Sequence, residues 1–512
     1  MPIGGTIRRR VQTALFPVLV AWGAWTGILA SGHFYSVVHG SRGQTAWIVL
    51  AVLAALSGLL SDASIRRPTA GDAGRMPHPL LLVAGLVATS FALYFPALSL
   101  GLLSDDFVLL SRAARHEFWS ASQFFRPLPL LCWAAVDRLG MPIGPSLHAI
   151  NVLLHGVNAA LLVLVARRFG LRRNTAIAAG VLFLTFPASV EAVAWASGIQ
   201  DVLLTTCGLA FVLACSIKVR SGWAFAVALV CLTLALATKE TAVVLPLLAF
   251  TAWFARKGDR WQWRAAAGGL VLAGVYATFR LAGIGTGDGF AVLPSRYFLK
   301  ELVSRPFATL AVPFTGPELQ RFPALGVALA WLFTGALVLA TQRWRSDDVG
   351  FGRVARSALW VALCVAPIYS MLFVSADLQG SRYLYLAAAG WSILLVSILV
   401  DDSAASQWRR IVGMAATGAV LAVSLAGVRS HLADWQEAAR LRDAVLASAT
   451  AHLHQSPCDV VHFVNLPDSV AGAYVFRNGF MELLQSTGLK SHAAVGTGEP
   501  RCTAQWNGRS FQ

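Results

Sequence analysis

Two adjacent carboxylates, Asp105 and Asp106, stand in LSLGLLSDDFVLLSR directly after the apolar run 79–98. Such a pair can take the proton of a hydroxyl nucleophile or offer oxygen ligands to Mg²⁺ or Mn²⁺. On spacing alone, a solvated helix end is the alternative. Three more turns carry charge at the ends of apolar runs. Glu191 and Asp201 bracket VEAVAWASGIQD, Lys239 and Glu240 sit in TKET, and Arg382 with Tyr383 opens SRYLYL. Singly, these read as interfacial turns, a neutral hairpin tip and an interface belt. Together they offer acids and cations to one face, the pattern of a site assembled at a membrane surface. In SLHAINVLLHGVN, His148, Asn151, His155 and Asn158 recur on one helical face. For His155 and Asn158 hydrogen bonding between helices is the favoured reading, while His148 and Asn151, nearer the end, can touch a substrate. Two turns separate the histidines and no third ligand is near, which argues against zinc.

The elements that must position these residues cross a membrane. The chain has 512 residues, 56% hydrophobic and 13% charged, with a mean hydropathy of +0.63. Apolar runs of roughly 17 to 22 residues, long enough to cross a ~30 Å hydrocarbon core as helices, recur along nearly the whole length. We place spans near 12–31, 45–61, 79–98, 146–166, 174–191, 200–217, 222–237, 241–255, 265–282, 323–341, 355–373, 384–400 and 411–427. The expectation is an all-α polytopic membrane protein of about thirteen helices, because only a helix satisfies its own backbone at that depth. A charge at a helix centre costs about 2.5–3.5 kcal/mol on insertion scales, so charges retained near helix ends are informative.

The net charge of +16 is spread over short loops rather than gathered in one basic domain, so it reports topology and not nucleic acid. Every second loop is basic: Arg8 to Arg10, Arg66 and Arg67, Arg167 with Arg172, Lys218 with Arg220, Arg256 with Lys257, Arg343 with Arg345, and Arg409 with Arg410. The positive-inside rule puts these loops and the N-terminus in the cytoplasm, and the acidic pair and the C-terminal tail outside. The first span has a basic start without a small-residue cleavage site and reads as retained. GIGTGDG at 283–289 lacks the strand before it and the GKS or GKT after it that a phosphate loop needs.

Three regions follow: 1–78 with two extra spans, a core at 79–427 with outer loops 99–145 and 283–322, and a tail at 428–512. RPLPLLCWAAVDRLG is apolar on one face and too short to span, which reads as a helix lying in the interface, and SRYFLKELVSRPFATLAVPF reads as another such helix. The tail starts helically and continues into the β-branched CDVVHFVNLP, which fits a small exported α+β appendage. Cys458 and Cys502 are its only cysteines, and an oxidising compartment favours a bridge between them.

The segments FFRPLPLLCWAAVDRLGMPIGPSLHAINVLLHGVNAALL, FPASVEAVAWASGIQDVLL, LALATKETAVVLPLLAF and GSRYLYLAAAG resemble, in order, hallmarks of GT-C glycosyltransferases, particularly the protein O-mannosyltransferase-like proteins. The resemblance runs from about residue 79 to 400. It implies transfer of a monosaccharide from a polyprenyl-phosphate-linked donor to a protein, lipid or glycan of the cell envelope, on the periplasmic face of a bacterial inner membrane. The first-loop carboxylates would supply the base, with Asp106 preferred and Asp105 orienting the acceptor or a metal. Lys239, Arg382 and, third, Arg126 would hold the phosphate as the anomeric centre inverts. Where relatives have a cation before the aspartate of the fifth-to-sixth turn, this chain has Ile199 and Gln200. Their tetratricopeptide tail is also absent. A transporter or lipid-carrier flippase, and a silent scaffold of the same architecture, are the competing classes.

Overall fold

The computed structural model describes residues 78–118, 125–216, 222–254, 260–283, 296–322, 348–367, 374–400, 407–489, 493–496 and 502–511, with short stretches between 324 and 332. The spans expected at 12–31 and 45–61, and most of 323–341, lie outside the described residues. In chain order the helices are α1 (Pro79–Tyr94, continued as a 3₁₀ turn Phe95–Ser99), α2 (Asp105–Ala114), α3 (Pro127–Arg138), α4 (Ile143–Arg168), α5 (Arg173–Leu184), α6 (Val190–Ala194), α7 (Ile199–Ser216) and α8 (Gly222–Leu236). They continue as α9 (Leu245–Phe254), α10 (Arg260–Gly283), α11 (Arg296–Ala311), α12 (Gly316–Arg321), α13 (Asp348–Val365), α14 (Tyr385–Leu399), α15 (Gln407–Gln455) and α16 (Phe480–Ser486).

The protein is a mostly helical, multi-pass membrane protein. Among the described residues five helical segments are long and apolar enough to cross a bilayer: 79–99, 143–168, 196–216, 381–399 and 410–455. A sixth would be α5 with the segment Pro187–Ala194, bent by 54° where 174–191 reads as one straight span. Proline explains the break: Pro187 disfavours helix at Phe186 before it, and the Thr185 hydroxyl donates back to the Val181 carbonyl at 3.1 Å. Helices also stand at 260–283 and 348–365, but neither passes the same test of length and hydropathy.

α4 is the central strut, and its polar face is committed to its neighbours. Ser90 on α1 donates to the Val152 carbonyl at 2.7 Å. His155 Nδ1 lies 2.6 Å from the Tyr385 hydroxyl on α14, with Nε2 3.1 Å from the Leu184 carbonyl. Asn158 donates to the Val202 carbonyl at 3.0 Å. Interhelical bonds of this kind contribute about 0.6–2 kcal/mol each in a membrane, enough to fix register without dominating stability.

α15 runs 49 residues without a break, roughly 73 Å at 1.5 Å per residue, twice what a bilayer needs. It therefore passes straight through position 427/428, where the sequence suggests a boundary, and its far half carries a small lobe. There β1 (Val461–Val464) lies between parallel β4 (Ala493–Val495) and β5 (Thr503–Gln505), while β2 (Ser469–Val470) and β3 (Ala473–Tyr474) form a hairpin. Alternation puts Val461 and Phe463 in the lobe's core. Cys458 and Cys502, which precede the neighbouring strands β1 and β5, form a disulfide with Cα atoms 5.9 Å apart.

Candidate active site

Both aspartates stand in the first turn of α2, and their side chains part there. Asp106 is 0% exposed, and its carboxylate accepts from the Leu103 amide at 2.8 Å, the Ser197 amide at 2.8 Å and the Ser197 hydroxyl. It ties the acidic loop to the turn before α7, and burial pushes its carboxyl up to about 7 although all three hydrogen bonds lower it. Asp105, one residue earlier on the helix, points elsewhere because residues i and i+1 do not share a face. It lines a cavity of about 530 Å³ and accepts a hydrogen bond from Asn478 Nδ2 at 2.6 Å. Both oxygens of Asp106 are engaged by backbone and Ser197, and Asp106 is not among the residues that line the cavity.

Behind the cavity runs a chain of ion pairs drawn from four turns. Arg382 donates to Glu191 and lies 3.9 Å from Asp201. Lys239 donates to Asp201, and Arg126 Nε donates to Glu240 at 3.0 Å with a further bond to Gln200. Gln200 thus takes a place on the wall where the sequence comparison expects a cation. Aromatic rings stack the cations in place. The Arg382 guanidinium sits 4.6 Å from the rings of Trp195 and Tyr383 and donates to the Tyr383 hydroxyl at 2.9 Å, while the Lys239 ammonium sits 4.5 Å from the Tyr383 ring. Lys239 is 1% exposed, and burial pushes its ammonium down to about 8 against the pull of Asp201. Among the three cations nominated from sequence, Arg126 and Arg382 line the cavity and Lys239 does not.

His148 and Asn151 are correspondingly structural. His148 Nε2 lies 2.9 Å from the Gly101 carbonyl, and Asn151 donates to the Trp195 carbonyl at 2.8 Å. Both are fully buried, and neither reaches the cavity. They hold the acidic loop and the turn before α7 instead, and Trp195 Nε1 in turn donates to the Leu103 carbonyl at 3.0 Å.

Sequence reasoning misses the contribution of the C-terminal lobe. Tyr474, Arg477 and Asn478 complete the cavity wall. The lobe is seated on the acidic loop from several sides. Arg442 of α15 donates to the Leu100 and Leu102 carbonyls at 2.8 and 2.7 Å, the Ser104 amide donates to the Val475 carbonyl at 3.0 Å, and the Asn478 amide donates to the Ser104 hydroxyl at 3.3 Å. Ser104 itself adopts φ +49°, a strained value for a residue with a side chain, held by these bonds. Gly479, at φ +85°, passes so close to the Ser104 carbonyl that a Cβ would overlap it. The only sequence signal was Asn478-Gly479, which marks a turn without telling what the turn faces.

As a metal site the cavity is poorly matched. Among the described residues no group of three or more His, Cys, Asp or Glu gathers to hold an ion. The aspartates diverge, and the lining offers Asp105 as its single carboxylate against Arg112, Arg126, Arg382 and Arg477. That donor set fits an anion beside one base.

Fold and site thus define a helical multi-pass membrane protein with a cationic cavity, containing one carboxylate, closed by a C-terminal lobe. By sequence, the chain resembles protein O-mannosyltransferases: it is 32% identical over 187 residues to Protein O-mannosyl-transferase Tmtc1 of Drosophila melanogaster. The match covers 32% of this chain and 22% of that protein, so the chain spans about a fifth of the relative's length. No protein-family model matches. Among solved structures, the Archaeoglobus fulgidus oligosaccharyltransferase AglB, in complex with an inhibitory peptide and a dolichol-phosphate, superposes with a TM-score of 0.45 at 10% identity, covering 83% of this chain and 65% of that one. ArnT from Cupriavidus metallidurans, bound to undecaprenyl phosphate, gives 0.35 at 14% identity, covering 82% and 86%. Scores this low assign neither fold nor function.

Proposed function

We propose that the protein is a GT-C-type membrane glycosyltransferase, which transfers a monosaccharide from a polyprenyl-phosphate carrier to a hydroxyl acceptor of the cell envelope. The observation that carries this reading is the meeting of Asp105 with the guanidinium groups of Arg126 and Arg382 in one cavity of about 530 Å³. The name of the Drosophila relative agrees with it.

In this reading Asp105 takes the acceptor proton as the acceptor oxygen bonds to the anomeric carbon. The bond from that carbon to the phosphate oxygen breaks on the opposite side, with inversion, and the electron pair leaves with the phosphate. Cations on the wall stabilise the charge that develops there. Asn478 engages Oδ1 of Asp105 and leaves Oδ2 for the proton. The ion pairs Arg382–Glu191 and Arg126–Glu240 fix the guanidinium planes beforehand, so little reorganisation accompanies the reaction. No step is assigned to a divalent cation.

We place the cavity on the periplasmic side of a bacterial inner membrane, with residues 1–78 as an N-terminal addition, 79–427 as the core and 428–512 as the exported part, on the distribution of basic loops. A transport path would need polar groups available through the depth of the bundle. Below the ion pairs, His155 and Asn158 are committed to Tyr385, Leu184 and Val202. The test is reconstitution of the purified protein in liposomes with a panel of polyprenyl-phosphate monosaccharides and hydroxyl acceptors, scoring labelled product by mass. Sugar-dependent product in wild type supports the reading. Movement of the intact carrier between leaflets without any product would replace it with the flippase.

A further inference from the structure

Among the described residues, the cations around the cavity are paired with carboxylates except at one position. Arg382 faces Glu191, Lys239 faces Asp201, Arg126 faces Glu240 and Arg112 lies 3.8 Å from Glu117. Arg477, on the same wall, has no carboxylate in ion-pair range among the described residues. Its Nη1 reaches the Gln379 amide oxygen at 3.4 Å and its guanidinium lies 5.6 Å from the Tyr474 ring. A guanidinium has five N–H donors, so these contacts leave it able to grip a tetrahedral anion with two of them.

Its position is fixed from both sides. The turn at Ala471 and Gly472, both at positive φ, closes the β2–β3 hairpin against the Asp377 carbonyl, next to the loop that leads into Arg382. The next residues, Val475 and Asn478, are hydrogen-bonded to Ser104. Arg477 is therefore carried on a strap held between the acidic loop and the Arg382 loop, with Asn478 beside it on Asp105.

We propose that Arg477 binds the phosphate of the lipid-linked donor, so that the segment 474–478 of the C-terminal lobe supplies both the grip on the leaving group and, through Asn478, the positioning of the base. The assignment rests on the donor class proposed above. Before reaction Asp105 is the one carboxylate that lines the cavity with Arg477. As Asp105 takes the acceptor proton it becomes neutral, while the departing phosphate goes from a diester monoanion to a monoester dianion. Arg477 is then left facing the charge that has appeared.

The test uses the full-length protein in nanodiscs and measures binding of farnesyl phosphate, farnesol and inorganic phosphate to wild type, Arg477→Ala, Arg477→Lys and Arg509→Ala, an exposed arginine of the same lobe. Wild type should prefer farnesyl phosphate to farnesol. Arg477→Ala should lose at least ~10-fold in farnesyl phosphate affinity with farnesol unchanged. Arg477→Lys should recover part of the loss, and Arg509→Ala should match wild type, all with wild-type unfolding midpoints. Equal farnesyl phosphate affinity in wild type and Arg477→Ala, with the phosphate preference retained, overturns the assignment and leaves the donor reading standing. A wild type indifferent to the lipid's phosphate overturns both. Inorganic phosphate binding as tightly as farnesyl phosphate makes the site one for a free anion and overturns the lipid assignment.

Discussion

Asp106 accepts hydrogen bonds from Leu103 and from both donors of Ser197 while fully buried, and the burial outweighs the bonds in raising its carboxyl to about 7. The folded value lies above the ordinary carboxylate value, so its contribution to stability is complete below about pH 4 and is lost as pH rises through about 7. We expect the unfolding temperature of wild type to fall between pH 5 and 8 by a component that Asp106→Asn lacks. The same variant turns an amide NH₂ toward backbone N–H donors, which costs about 1–3 kcal/mol. Its unfolding temperature should therefore be lower than that of wild type at pH 5, as differential scanning fluorimetry across pH would check. An Asp106 carboxylate that is exposed in solution would give no difference in the pH slopes.

Among elements, the acidic loop is held in a strained conformation by a lobe more than three hundred residues away in sequence. Gly479 and Gly488 separate the contribution of that docking from ordinary backbone effects. Both have positive φ, but a Cβ on Gly479 would overlap the Ser104 carbonyl, whereas a Cβ on Gly488 meets open space. Each alanine substitution costs ~1–2 kcal/mol for its backbone conformation. Only Gly479→Ala should also displace the Ser104–Asp105 loop and lower transfer by ~10-fold or more. Equal rates in the two variants would show that the lobe does not position the base. The helices around the loop were legible from the chain, since α3, α4, α7 and α14 follow from apolar runs, whereas the bend at Pro187 was not, because 174–191 reads as one straight span. The facing of the loop was not. Two carboxylates in succession look equivalent in sequence, and only the helix phase at α2, set by the Ser104 turn, sends one inward and one to the cavity.

On the scale of the whole molecule, the lobe is both a staple and part of the site. Its disulfide closes 44 residues of sequence separation, worth roughly 4 kcal/mol if it acts by restricting the unfolded chain. Paired substitution of Cys458 and Cys502 by Ser should lower the lobe's unfolding midpoint and the transfer rate together, with the membrane helices retained by circular dichroism. Unchanged transfer with a melted lobe would contradict the closed-cavity description. The membrane class, the central polar helix and the gathering of Asp105 and Arg382 on one face could be read from hydropathy and from charge at helix ends, while Arg126 entered only with the family resemblance. Tyr474, Arg477 and Asn478 could not, because a hairpin strap has no periodicity that points at its partner and the tail looked peripheral in size. Trp195 was visible only as an interfacial aromatic, although its ring stacks Arg382 and its indole N–H holds the Leu103 carbonyl. The most direct measurement is the rate of sugar transfer from a polyprenyl-phosphate donor by Asp105→Asn and wild type at matched amounts in the same liposomes. The account predicts a loss of ~10²–10⁴-fold with farnesyl phosphate binding retained; a wild-type rate in Asp105→Asn would contradict it.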